Sequence, residues 1–247
     1  MKPLALVWIA LLLSPLLVYV DAATVGAAYD PWNDWARVAW GYFQPGVGVS
    51  SHTGLHYAAS GWYFFTDWDL GVYIKAITDA EKLGIVARGG EWGADYRLEK
   101  VLGFLETREL VDGVPYVQYD ADTGIPSGYI GKQTAHPSDC ANLLLALDDL
   151  RRFRPDLAAR INSLVTRYNF QKLADHSYFS ADDIYPSYVA QGYWAFGYST
   201  LKLKPLESLG DGTFVDVYGE SLPKARLTSE PFALAILEDR ATSLYRT

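Results

Sequence analysis

The chain has 247 residues, half of them apolar, with 21 basic and 29 acidic side chains and a formal net charge of −8. An acidic chain of this length argues against nucleic acid, whose phosphates would be repelled, and lacks a basic run for an anionic membrane surface. It is long enough for one large domain with a substantial core.

The N-terminus reads MKPLALVWIALLLSPLLVYVDA. Lys2 supplies a positive start, an apolar run follows from Pro3 to Val20, and Val20-Asp21-Ala22 offers a small-residue cleavage site. This is the pattern of a secretory signal peptide over 1–22, which implies export to the exterior or the cell envelope. An uncleaved membrane anchor is the alternative, although Pro15 interrupts the run. Residues 23–247 are expected to form a single domain. Cys140 is the sole cysteine, so no internal disulfide is available. It opens an apolar helix with neither a histidine base nor a cation adjacent in sequence, which fits a buried structural thiol. His52, His56, His136 and His176 show no metal-ligand spacing, and neither a metal nor another cofactor is expected.

Asp30-Pro31 caps and opens a first helix, and Trp32, Trp35, Ala36, Ala39, Trp40 and Phe43 follow at helical spacing. Pro45-Gly46 ends it, and a polar loop follows. A second helix is expected over Asp67–Leu83, with Gly84 as its stop. A third spans Asp95 to Glu109. Leu110–Tyr119 holds an Asp112-Gly113 turn between strand-like residues, the signature of a short hairpin. A fourth helix begins after Ser138, and Pro155 opens a fifth. The sixth, SYVAQGYWAFGY, alternates small and aromatic residues and suits close packing. Lys202 to Leu227 reads as loop, with a turn at Gly210-Asp211-Gly212. A last helix starts at Ser229-Glu230-Pro231.

Seven helices with long alternate connections predict a mainly all-α chain. The expected architecture is an α/α toroid-like array of antiparallel helical hairpins. Three acidic residues sit where predicted helices begin: Asp69, Asp139 and Glu230. Such residues are ordinary helix caps, since they accept from free backbone N–H groups. As a set they can also gather carboxylates at one end of a bundle. Carboxylates in an aromatic cleft are the equipment of glycosidic-bond cleavage, which needs an acid for the leaving oxygen and a base or nucleophile opposite it. Asp139 and Glu230 are the candidates for that pair, and Asp69 for orienting substrate or water. Trp68, Tyr119, Tyr188 and Trp194 lie near the motif ends and offer ring faces for sugar stacking; core packing is the competing role.

The segments ARVAWGYFQP, TDWDLGVYIKAITDAEKLGI, DYRLEKVLGFLETRELVDGVPYVQYDADTG, SDCANLLLALDDL, YVAQGYWAFGY and LTSEPFALAILE occur in an order that resembles the bacterial and archaeal domain-of-unknown-function 3131 family. That family is similar to glycoamylase-like helical toroids, which include enzymes acting on β-glucans. The resemblance implies a helical toroid and an oligo- or polysaccharide ligand. It places Trp68-Asp69-Leu70-Gly71 on the family's Trp-Asp-(apolar)-Gly element, Asp139 on its fourth-helix Asp, and Thr228-Ser229-Glu230-Pro231 on its Ser-Glu-Pro element. Two departures stand out. The family usually places a Glu where this chain has Tyr185-Pro186-Ser187-Tyr188, and its members usually continue beyond Thr247. The resemblance therefore leaves open an enzyme, a non-catalytic carbohydrate-binding protein, and an envelope subunit that self-associates or takes a partner chain to complete its helical array.

Overall fold

The computed structural model describes residues 31–128, 133–180, 184–201 and 214–223. The predicted signal segment, the Gly210-Asp211-Gly212 turn and the predicted last helix with Glu230 lie outside these residues. The chain divides into two compact units, 1–39 and 40–247. Nearly all of helix α1 (Pro31–Trp40) belongs to the first, where Trp32 and Trp35 meet edge to face at 5.1 Å.

The larger unit is built on α2 (Asp67–Lys82), α3 (Ala94–Thr107), α4 (Pro137–Phe153), α5 (Ala158–Val165) and α7 (Ile184–Ala195), with a short α6 (Phe170–Ala174). Local chemistry sets several ends. Thr66 and Asp69 form a reciprocal capping box at the start of α2. Gly84 adopts φ +65°, and Ile85 N–H reaches back to the Ala80 carbonyl at 2.8 Å, closing the helix as the sequence predicts. Pro137 occupies the first turn of α4.

The contacts fix the directions. Asn142, early in α4, donates to the Trp68 carbonyl at the start of α2, and Arg154, just past α4, pairs with Glu81 at the end of α2. These two helices therefore run parallel. Tyr185 at the start of α7 stacks on Trp68, while Arg151 donates to the Ala195 carbonyl at its end, so α7 runs the same way. The outer helix α3 runs opposite: Asp95 at its start meets Arg154, and Arg108 past its end meets Asp67. Arg160 of α5 bridges Glu99 and Glu106 of α3, and Tyr168 beyond α5 reaches Arg108. Parallel inner helices returned by antiparallel outer ones make an α/α toroid-like array, in which the starts of α2, α4 and α7 share one end.

Close approach holds the inner layer together. A Cβ added at Gly192 would lie 2.1 Å from the Ala141 carbonyl oxygen, and one at Gly71 would lie 3.0 Å from Asn142. The core between these helices is continuous, from Leu70, Tyr73 and Ile77 through Leu143, Leu144 and Leu147 to Tyr188 and Tyr193. The predicted hairpin is present as β2 (Leu110–Val111) and β3 (Val114–Pro115), joined by Asp112 and Gly113 at φ +52° and +78°. Strand β1 (Phe64–Phe65) pairs antiparallel with β4 (Tyr119–Asp120). Part of the predicted loop over 202–227 is a second hairpin, β5 (Phe214–Val217) with β6 (Glu220–Pro223), turning through Tyr218 and Gly219.

Candidate functional site

The shared end of α2, α4 and α7 presents the chemistry. Beneath it lies a sealed ion pair. Arg108 donates through both terminal nitrogens to Asp67, with Nη2 to Oδ2 at 3.0 Å, and both side chains have no solvent exposure. Arg108 Nε donates to the Tyr168 hydroxyl at 3.0 Å. Cys140 Sγ donates to Asp67 Oδ2 at 3.3 Å, and burial followed by the Asp67 charge pushes that thiol well up. Cys140 is therefore an inert buried thiol, as expected.

Asp69 sits two residues on, in the same first turn of α2. Its Oδ2 accepts from the Thr66 backbone N–H at 2.9 Å and from the Thr66 hydroxyl at 3.0 Å, so it caps the helix as well as facing this end. Asp139 differs. The cap of α4 is His136, whose Nδ1 accepts from Ser138 N–H at 3.3 Å. Asp139 Oδ1 lies 3.3 Å from Ser138 Oγ, which lies 2.7 Å from His136 Nδ1. Asp139 is partly buried. Burial first, then the negative charge of Asp67 and, more weakly, of Asp69, raise its carboxyl from 3.8 to about 7. The same field shows that Asp67, Asp69 and Asp139 converge.

Trp68 and Tyr185 stack at 5.7 Å with planes 19° apart, joining the starts of α2 and α7. The other expected stacking residues are placed differently. Tyr119 and Tyr188 have no exposed surface, and a fully buried ring offers no face to a ligand. Tyr119 instead donates to the Glu109 carbonyl at 2.7 Å and packs on Phe65 and Phe104. Tyr188 packs beneath Tyr185. Trp194 is half exposed near the far end of α7, its indole N–H donating to Thr200 at 3.1 Å. Glu230 lies outside the described residues. Sequence reasoning did not single out Asp67, Arg108, His136, Ser138 or Tyr185 for the site. His136-Pro137 was the available signal for the cap; nothing local announces a pair 41 residues apart.

Among the described residues no group of His, Cys, Asp or Glu is arranged to hold a metal ion. The chain matches the family described as "Protein of unknown function (DUF3131)" over residues 34–238. The chain belongs to the DUF3131 family. No curated protein matches it significantly. Among solved structures it is similar to the endo-β-1,2-glucanase of Chitinophaga pinensis in complex with sophorotriose and glucose, at 16% identity and a TM-score of 0.56, covering 80% of this chain and 55% of that one. It is also similar to a candidate glucoamylase from Bacteroides fragilis NCTC 9343 at 17% identity and TM-score 0.50, covering 80% and 56%. A third is the β-1,2-glucanase of Parabacteroides distasonis, at 15% and 0.52, covering 77% and 34%. The DUF3131 chain thus spans about half the length of the first two and a third of the last. At these identities the likeness establishes the toroid fold, as the helix directions do independently.

Proposed function

We propose that this DUF3131 protein is carbohydrate-active, a glycoside hydrolase that cleaves a β-glucan or envelope polysaccharide with Asp139 as general acid. One observation carries the reading. Asp139 sits at a helix start without capping it, and burial with two neighbouring aspartates raises its carboxyl to about 7. A carboxylic acid that keeps its proton near neutrality is what protonation of a glycosidic oxygen requires. Glu230 is the proposed base or nucleophile on the opposite face of the sugar, and Asp69 the group that orients substrate or water. Trp68 and Tyr185 form the adjoining aromatic wall, where a pyranose can lay its apolar face on a ring. The glucan-cleaving proteins that share the fold support the substrate class.

The charged start and apolar run of residues 1–22 support a site of action outside the cytoplasm. Mass spectrometry of the expressed protein should find Ala23 at the N-terminus, and intact Met1 on membrane-bound protein would support the anchor instead.

The deciding experiment incubates purified protein with β-1,2-glucan and other β-glucans and measures new reducing ends. Asp139→Asn and Glu230→Gln should each lower turnover roughly 100- to 10,000-fold. Activity should fall as pH rises through about 7, where Asp139 loses its proton. Retention of glucan with no new reducing ends in any preparation would replace the hydrolase with a carbohydrate-binding protein. If hydrolysis is found, a carboxyl separation of about 5 Å predicts retention of anomeric configuration, and roughly 6.5–9.5 Å inversion.

A further inference from the structure

Two histidines at the Asp139 end of the bundle are held alike. His136 caps α4, and His176 stands just before the 3₁₀ turn Ser177–Ser180. Each takes the backbone N–H from two residues on into its Nδ1. Ser138 N–H reaches His136 at 3.3 Å, and Tyr178 N–H reaches His176 at 3.1 Å. A ring nitrogen that accepts carries no proton, so in each neutral ring the proton is on Nε2. Both side chains are solvent-exposed. With Nδ1 turned to the backbone, the Nε2–H edge is the one that faces outward. The two rings lie 6.4 Å apart between centres, close enough for both N–H groups to reach one sugar residue. Tyr178, edge to face with His136 at 4.9 Å, steadies the imidazole plane. Ser138 Oγ lies 2.7 Å from His136 Nδ1 and 3.3 Å from Asp139 Oδ1, which ties the pair to the proposed acid.

We propose that His136 and His176 form a sugar subsite beside Asp139, donating from Nε2–H to hydroxyl oxygens of one uncharged sugar residue next to the scissile bond. The inference rests on the carbohydrate-active reading of this end of the bundle and deepens it. A neutral imidazole Nε2–H only donates, so its partner is an acceptor, which every sugar hydroxyl oxygen can be. Partial burial, and then the nearness of His176, hold His136 below its usual pKa and keep it uncharged near neutrality. It therefore offers no cation to attract an anion. The negative charges of Asp67 and Asp69, which act on the adjoining Asp139, disfavour a sugar that carries a carboxylate or a phosphate. The backbone fixes both donors before a ligand arrives, so little ordering is required on binding.

Asparagine and glutamine separate the two ring nitrogens. His136→Asn keeps an acceptor for the Ser138 N–H, and so the cap, but removes the outward donor. His136→Gln carries an amide N–H out toward the Nε2 position and gives up the cap. On a glucan that the wild type cleaves, His136→Asn and His176→Asn should each raise KM about 3- to 10-fold, the worth of one hydrogen bond. Turnover should stay nearly unchanged, because the contact is made equally in ground and transition states. The double variant should multiply the two effects, and His136→Gln should recover most of the KM despite a lower Tm. A merely structural role gives the reverse: full affinity in His136→Asn and loss in His136→Gln, which overturns the subsite.

NMR of the ring nitrogens in the full chain gives a second reading. Without sugar, both imidazoles should be protonated at Nε2, and a proton on either Nδ1 overturns the proposal. Adding a short oligosaccharide of the cleaved glucan should shift both Nε2–H signals. Tighter binding of a carboxylate-bearing glucan than of its neutral counterpart also overturns it. Where the chain binds a glucan without cleaving it, the same ratios are read in Kd. A wild type that neither cleaves nor binds any glucan sinks the carbohydrate reading and the subsite together, whereas normal cleavage with unchanged KM in both asparagine variants sinks the subsite alone.

Discussion

Asp67→Asn isolates the charge of the sealed pair while nearly preserving shape. In the wild type Arg108 is fully buried, with two hydrogen bonds to Asp67 and one to Tyr168. The amide offers one acceptor where there were two and turns an NH₂ group toward a guanidinium that only donates. The remaining positive charge has no carboxylate. Breaking a buried pair in this way costs about 3–5 kcal/mol. The Tyr168 and Tyr119 rings lie 4.9 and 5.2 Å from the guanidinium carbon and recover some of this, which favours the lower end. For a chain whose whole stability is about 5–15 kcal/mol, that is a large fraction. At roughly 2–4 °C per kcal/mol, Tm should fall by about 6–20 °C. Calorimetry and urea unfolding measure it. Asp67→Asn combined with Arg108→Met should recover most of the loss, because no lone charge is left buried. A loss under about 1 kcal/mol for the single variant, or a double variant worse than the single, would refute the reasoning.

Three further outcomes follow from the same structure. Folding holds Asp139 protonated up to about 7, against 3.8 ordinarily, so the contribution of Asp139 to stability should decline as pH rises from about 4 to about 7; Asp139→Asn should remove this component of the pH dependence, read as the difference between variant and wild type, and raise Tm at pH 8 in a thermal melt. His56 is buried against Tyr73 and Phe65 with neither ring nitrogen partnered among the described residues, and burial lowers its pKa to about 3. The contribution of His56 to stability should therefore drop as pH falls from about 6.5 toward 3, and His56→Phe should remove that component, read as the difference between variant and wild type, while adding about 1 kcal/mol at neutral pH, checked by urea unfolding. Gly192→Ala drives a methyl against the Ala141 carbonyl and should cost about 1–3 kcal/mol in the same assay, whereas an unchanged midpoint would mean that α7 and α4 separate freely.

Helix positions were legible because their ends carry local chemistry. Thr66 and Asp69, Gly84 and Pro137 each act within a few residues, and Asp112-Gly113 sets its hairpin by backbone preference alone. The small residues of the sixth predicted helix likewise announced the close approach at Gly192. The β5–β6 hairpin escaped notice because Tyr218, not Asn or Asp, takes the positive φ of its turn. Tyr119 and Tyr188 escaped for another reason. Whether a ring near a helix start points at a ligand or into the core depends on neighbours brought from elsewhere in the chain. The same holds for Asp139, whose carboxyl is defined by Asp67, 72 residues earlier, and by a cap that His136 supplies in its place.

The buried Asp67 also bears on the order of folding. Its carboxylate is gripped by Arg108, 41 residues away, and covered by Cys140, 73 residues away. Helices α2 and α3 can meet early, since the loop that joins them is short and its closure is inexpensive. At that stage the ion pair is still wet and worth little. It becomes sealed when α4 docks with Cys140 over it, a contact of high sequence separation that slow-folding topologies share. Substitutions at Asp67 should therefore chiefly accelerate unfolding and leave the folding rate nearly unchanged.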